Sequence, residues 1–317
     1  MIQLDDYLVG VEFLAGENSF QANGFHLRDS YLRLIWGESE RLYGSLQLGS
    51  QDLVGSTRWY EGAEHNSIFT EAYGNYSASG YLIQFGMLPV GFSFSGQQEE
   101  SQLLVRRNLL YLNDYLTARD LGLAFRKQMN SWSFYTVLHN GIGIVRKSEV
   151  QNDDRFFVSM GLDKKAPSYK YGIGFQTGQF SRVSVANELN AKNHILSVYA
   201  LKESKAWVNS IELYAGKESS QGFEINYSAL SLESIRSLTE RTRVFLKLEY
   251  FDPNSSDSGD QIESTHLGLD WSEKKEQSRL SVFYNLERNA GQINQSVSLM
   301  YRLGALVNSI REQGDKL

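Results

Sequence analysis

The chain has 317 residues and no cysteine, which excludes a disulfide framework, thiolate metal sites and a cysteine nucleophile. A formal net charge of −6 without a basic stripe offers nothing to nucleic acid. Three prolines against 27 glycines, 18 tyrosines and 17 phenylalanines suit many strands joined by turns. No stretch holds the 18 or more consecutive apolar residues of a transmembrane helix.

Period-two alternation runs through most of the chain. The first predicted strands lie near 6–14, 25–36, 40–49, 66–76 and 80–87, and the next pair near 119–127 and 131–139. Strands near 154–163 and 168–177 follow; in the second, Tyr169, Tyr171, Ile173 and Phe175 alternate with Lys170, Gly172, Gly174 and Gln176. Three more are placed near 193–202, 206–216 and 222–230. At 241–250, Val244, Leu246, Leu248 and Tyr250 oppose Arg243, Phe245, Lys247 and Glu249. Strands near 262–272, 277–287 and 293–303 complete the series; the last sets Ile293, Gln295, Val297, Leu299, Tyr301 and Leu303 against Asn294, Ser296, Ser298, Met300 and Arg302.

These make sixteen strands, an even number that returns both ends to one side; fourteen is the alternative count, turning on the first strand and the 178–202 region. Short turns are expected at 37–39, 77–79, 128–130, 164–167, 203–205 and 273–276, and long loops at 50–65, 88–118, 140–153, 178–192 and 251–261. A long turn at 231–240 and short loops at 217–221 and 288–292 depart from that rhythm. A soluble sandwich usually stops at seven to nine strands per domain of roughly 100 residues. Here alternation continues without a domain break, and aromatics (Trp36, Tyr76, Tyr81, Trp132, Trp207, Tyr250, Trp271, Tyr301) recur at strand ends, as interfacial girdles require. The reading is all-β: a closed antiparallel transmembrane β-barrel of the bacterial outer membrane over 1–303, with both termini periplasmic. No signal peptide precedes Ile2, and Met1 is read as standing in for a removed export signal. Residues 304–317 carry mixed charge and read as a periplasmic tail or vector remnant.

Between residues 25 and 125 the order of short motifs resembles the phosphate- and pyrophosphate-selective porins, the O and P type. The motifs are Phe25-His26-Leu27-Arg28, Thr70-Glu71-Ala72-Tyr73 and Gln84-Phe85-Gly86-Met87-Leu88-Pro89, then Arg106-Arg107 and Ala118-Arg119-Asp120-Leu121-Gly122-Leu123. The resemblance covers about a third of the chain and implies a sixteen-stranded, usually trimeric barrel passing small anions. The arginine and lysine ladder of the phosphate-selective members is not found residue by residue, and Glu99-Glu100 argues against strong phosphate selectivity. Fold and pore are carried over, the solute is not.

A barrel of this size leaves an aqueous channel, filtered by charged side chains at its narrowest point. The 88–118 loop is the candidate constriction, with Glu99, Glu100, Arg106, Arg107 and Asp114 beside an apolar Leu103-Leu104-Val105 segment. An external lid or trimer-contact loop is the plainer alternative. Arg33, Arg243, Lys247, Arg279 and Arg302 form a candidate basic wall on the inward face. Paired lumen charges that only hold water are its plainer alternative. The five histidines (His26, His65, His139, His194, His266) stand apart in sequence from any Ser-Asn-Gly or acidic partner motif, and no HExxH, Walker A or dinucleotide fingerprint occurs. The expectation is a non-enzymatic porin without metal or cofactor, its partners being outer-membrane lipids, small ions or solutes and two further copies of itself. A plugged barrel serving an envelope complex is the alternative.

Overall fold

A computed structural model describes residues 2–17, 24–39, 41–50, 69–98, 103–105, 107–113, 115–140, 156–183, 188–220, 222–273 and 278–306. Strands β1 (Ile2–Glu17), β2 (Gly24–Ser39), β3 (Leu42–Ser50), β4 (Phe69–Ala78) and β5 (Tyr81–Pro89) come first. Two short helices, α1 (Ser93–Gln97) and α2 (Leu109–Leu112), lie in the next connection. β6 (Arg119–Met129), β7 (Trp132–His139), β8 (Phe156–Ala166) and β9 (Tyr169–Val183) follow. Then come β10 (Glu188–Glu203), β11 (Trp207–Ser220) and β12 (Phe223–Ser237). β13 (Thr242–Asp252), β14 (Ile262–Ser272), β15 (Ser278–Asn289) and β16 (Gln292–Leu306) complete the sheet.

Each strand pairs antiparallel with its sequence neighbours, and β1 closes on β16, so the sixteen strands form a barrel without an edge. Closure answers the chemistry of a bilayer, where an unpaired backbone amide has no water to turn to. The alternation then decides which face meets lipid. On β16, Ile293, Val297, Leu299 and Tyr301 are exposed on the outside, while Asn294, Ser298, Met300 and Arg302 are buried within. On β9, Tyr169, Tyr171, Ile173 and Phe175 face outward and Gln176 inward.

The short turns between even- and odd-numbered strands gather at one rim, together with the start of β1 and the end of β16. Seven of the eight expected girdle aromatics ring this rim from outside: Trp36, Tyr76, Tyr81, Trp132, Trp207, Trp271 and Tyr301. Tyr250 instead sits at the opposite rim, paired with Glu263 near the far end of β13.

Several boundaries differ from expectation. The long loop expected at 178–192 is mostly strand, because β9 and β10 remain paired out to Val183 and Glu188. The expected turn at 231–240 shrinks likewise, with β12 paired to β13 as far as Ser237. For β9 and β10 the extension lies beyond the lipid band, where a strand no longer needs one apolar face, so the ladder continues after the alternation has stopped. β16 extends three residues past the expected end, where Leu306 pairs with Asp6. The remainder of the expected tail lies outside the described residues.

Candidate functional site

The β5–β6 connection turns into the barrel. Its base is closed by the Val90 amide donating to the Ala118 carbonyl at 3.0 Å, which continues the ladder beyond the Pro89–Arg119 pair. Gly91 and Ser93, at φ 66° and 64°, turn the chain inward. Asn108 caps α2 by accepting from the Tyr111 amide at 3.4 Å. The Tyr111 hydroxyl ties the two helices by donating to the Phe92 carbonyl at 2.5 Å, and burial pushes this phenol above its usual range. Gly96 makes that approach feasible, since a Cβ there would lie 2.1 Å from the Tyr111 hydroxyl oxygen.

The segment then crosses to the opposite wall. Val90, Phe92, Leu109, Leu110, Tyr111 and Leu116 pack with Ile195, Tyr214, Tyr227, Ala229, Phe251 and Ile262 from β10–β14. Leu104 and Val105 pack with Phe245, Phe283 and Met300 on β13, β15 and β16. Phe92 and Leu110 are fully buried, each worth about 1.5–3 kcal/mol by area. Gly174 on β9 gives Phe92 its seat; a Cβ there would stand 2.9 Å from the ring.

Wall carboxylates receive the loop's polar groups. Glu212 on β11 accepts from the Ser95 amide at 2.9 Å, from the Ser95 hydroxyl and from Asn108 Nδ2 at 3.3 Å. Asn108 also donates to the Tyr214 hydroxyl at 2.7 Å, which donates to Ser93 at 2.8 Å. Glu249 on β13 accepts from the Leu109 amide at 3.2 Å, and Asp163 on β8 from Gln97 at 3.0 Å. Arg302 donates to the Leu103 carbonyl. Hydrogen bonds to charged groups contribute about 1.5–3 kcal/mol each, so the loop is held at several points.

Of the residues expected in the constriction, Arg107 is the one described; Glu99, Glu100, Arg106 and Asp114 lie outside the described residues. Arg107 braces the loop itself, donating to the Ser95 carbonyl and to the Gln98 carbonyl at 2.9 Å, with its guanidinium over the Tyr111 ring. A small polar cavity between loop and wall is lined by Ser95, Arg107, Glu212, Ser231, Glu233 and Lys247 among others.

The five cations of the expected basic wall all point inward, each against an acceptor. Arg33 meets Glu71 at 3.5 Å, and Glu71 also holds Arg119 at 2.6 Å. Arg243 and Arg279 share Asp270 at 2.7 and 3.0 Å, and Lys247 meets Glu249 at 3.2 Å. The wall is therefore a lattice of paired charges in which two carboxylates, Glu71 and Asp270, each serve two arginines. Glu71, Arg119 and Asp120 belong to the motifs that carried the family resemblance, and the fold brings the first two into direct contact.

Two histidines correct the sequence reading, in which all five stood apart from partners. His139 lies between Asp120 at 2.8 Å and Ser159 at 2.9 Å, and the Ser159 hydroxyl donates onward to Gln176 at 2.9 Å. His266 lies between Ser264 at 2.8 Å and Asn285 at 2.5 Å, with Glu249 at 3.6 Å. Antiparallel pairing made both groups, bringing together inward residues of adjacent strands that are separated by hairpins in sequence. Counting inward positions at one level across the predicted strands would have found them.

Neither a family model nor a curated protein matches this sequence. Solved structures do match its fold. The chain is similar to an anion-selective porin from Comamonas acidovorans, with a TM-score of 0.73 and 11% identity, covering 96% of this chain and 99% of that one. The fold is that of a closed sixteen-stranded β-barrel of the outer-membrane type. The trimer form of OmpT, an outer membrane protein of Vibrio cholerae, is similar at a TM-score of 0.72 and 9% identity, again covering 96% and 99%. A Rh. blastica porin mutant follows at 0.59 and 11%, covering 96% and 100%. In the porin-type barrel the short-turn rim is periplasmic and the longer loops are external.

Proposed function

We propose that the protein is an outer-membrane porin giving passive diffusion of small hydrophilic solutes or ions, with the β5–β6 segment as its constriction. The observation that carries this reading is the crossing of that segment to the far wall, where Glu212, Glu249 and Arg302 hold it. A fixed polar gap beside a wall of paired charges filters by width and local field and needs no cofactor. The chain acts without catalysis. The Asp120–His139–Ser159 row supports this, because all three are buried and the serine proton is engaged by Gln176. The protein works as a homotrimer, a reading supported by the trimeric neighbour. Membership of the O and P type porins is supported by the ordered motifs between residues 25 and 125.

One observation favours a plugged barrel instead. Wall side chains across the lumen from the loop's base are almost entirely buried: Lys247 is 6% exposed and Arg302 5%. Single-channel recording of detergent-purified protein in a planar bilayer separates the two. Discrete conductance steps are expected, and a salt gradient then gives the sign of selectivity. Silence despite proven insertion would transfer the reading to a plugged barrel in an envelope assembly.

A further inference from the structure

The outward cations near the periplasmic rim follow a rule. Lys127 on β6 lies 4.6 Å from the Tyr81 ring centroid, and Lys164 on β8 lies 5.0 Å from that of Trp132 and 5.9 Å from that of Tyr171. Lys202 on β10 lies 5.6 Å from Tyr169, and Arg236 on β12 lies 5.1 Å from Trp207. Every one of these pairs consists of residues directly opposite each other on adjacent strands. Four alternate strands thus each carry a cation seated on a girdle aromatic, within three residues of a periplasmic turn.

A ring face fixes the height of a cation without neutralising it, at about 0.5–1 kcal/mol for an exposed pair. Among the described residues none of the four cations pairs with a carboxylate. Two outward cations toward the external rim behave differently: Lys217 pairs with Glu224 at 2.7 Å and Arg288 with Glu263 at 3.9 Å. The arrangement is also one-sided. Trp36, Tyr76, Trp271 and Tyr301 stand at the same rim on β2, β4, β14 and β16 and carry no such cation among the described residues. Aromatic girdles mark headgroup depth, and the charged group found there is the lipid phosphate. Neighbouring strands are about 4.8 Å apart, so cations on alternate strands stand roughly 10 Å apart, far enough to take separate headgroups.

We propose that the periplasmic rim of β5–β12 is a row of phospholipid-phosphate sites, each built from one cation and the aromatic ring across from it. The proposal needs the barrel to lie in the outer membrane but does not need an open pore. The test compares retention of phosphatidylglycerol with that of a phosphate-free glycolipid bearing the same acyl chains, after gel filtration of folded protein. Phosphatidylglycerol should be retained over the glycolipid, and raising the salt should erase the difference by screening. The variant K127Q/K164Q/K202Q/R236Q should lose about fivefold in phosphatidylglycerol retention per cation removed, with single-channel behaviour unchanged. Equal retention of the two lipids by the unaltered protein would overturn the proposal, as would salt-independent retention. Binding of an anionic periplasmic polymer in place of phospholipid would overturn it too. The salt series uses the unaltered protein, so it decides the matter even if the fourfold variant fails to fold.

Discussion

Along β10–β13 the lumen wall presents Ile195, Tyr214, Tyr227 and Phe251 to the β5–β6 segment and turns Glu212 and Glu249 toward its donors. Along β2–β9 most wall groups bond to one another instead, through Arg33, Glu71 and Arg119 and through the row from Asp120 to Gln176, with Asp163 as the group that reaches the segment through Gln97. The first wall is a receptor surface that depends on the loop; the second is satisfied mainly within itself. Damage to the second should therefore weaken the barrel, and damage to the first should release the loop while the barrel stands.

The largest effect is expected at Glu71→Ala. It removes the carboxylate that two buried arginines share, at a cost of about 3–5 kcal/mol. Reversible urea unfolding in detergent should show the loss, with less of it in Glu71→Gln. Phe92→Ala should cost about 3 kcal/mol, felt as loop release: proteolysis would cut between residues 93 and 112 while the barrel still migrates as folded. Cleavage no faster than in the unaltered protein would dissolve the distinction between the walls. Glu212→Ala strips the acceptor from Ser95 and Asn108 and should weaken docking by about 2 kcal/mol. Open-channel noise should rise with it, and Glu212→Gln should fall between the two. Alkaline pH gives the smallest effect. Tyr111 stays protonated when docked because burial raises its pKa, whereas in the released loop it ionises in the ordinary range near 10. Docking is thus at full strength below that range and weakens as pH rises through it, by about 1 kcal/mol at pH 10.5. Protease protection of residues 93–112 between pH 9 and 11 measures this, and Tyr111→Phe should flatten the response.

The strand count was legible because lipid contact forces alternate residues to be apolar, as in Ile293 through Leu303. Where β9 and β10 rise above the lipid, that force ends, so their paired extensions looked like a loop. The inward cations were legible one by one, since Arg243 and Lys247 share parity with Phe245. Their partners were not, because Asp270 reaches Arg243 only through the β13–β14 register. The anchoring of the loop was hidden for the same reason on a larger scale. Ser95 and Glu212 are 117 residues apart, and no local pattern announces that the barrel will bring them face to face.

The pairing of Val90 with Ala118 at the loop's base has a consequence for how the chain matures. β5 and β6 form a complete hairpin before anything crosses the lumen, so the neck of the excursion is made by local contacts early and cheaply. Its landing sites lie on β8 to β16, which come later in the chain and face one another only when β16 meets β1. The interior is therefore furnished after the walls are up. The full set of contacts that holds the β5–β6 segment can be completed only in a closed barrel, so its docking depends on closure while the hairpin at its neck does not.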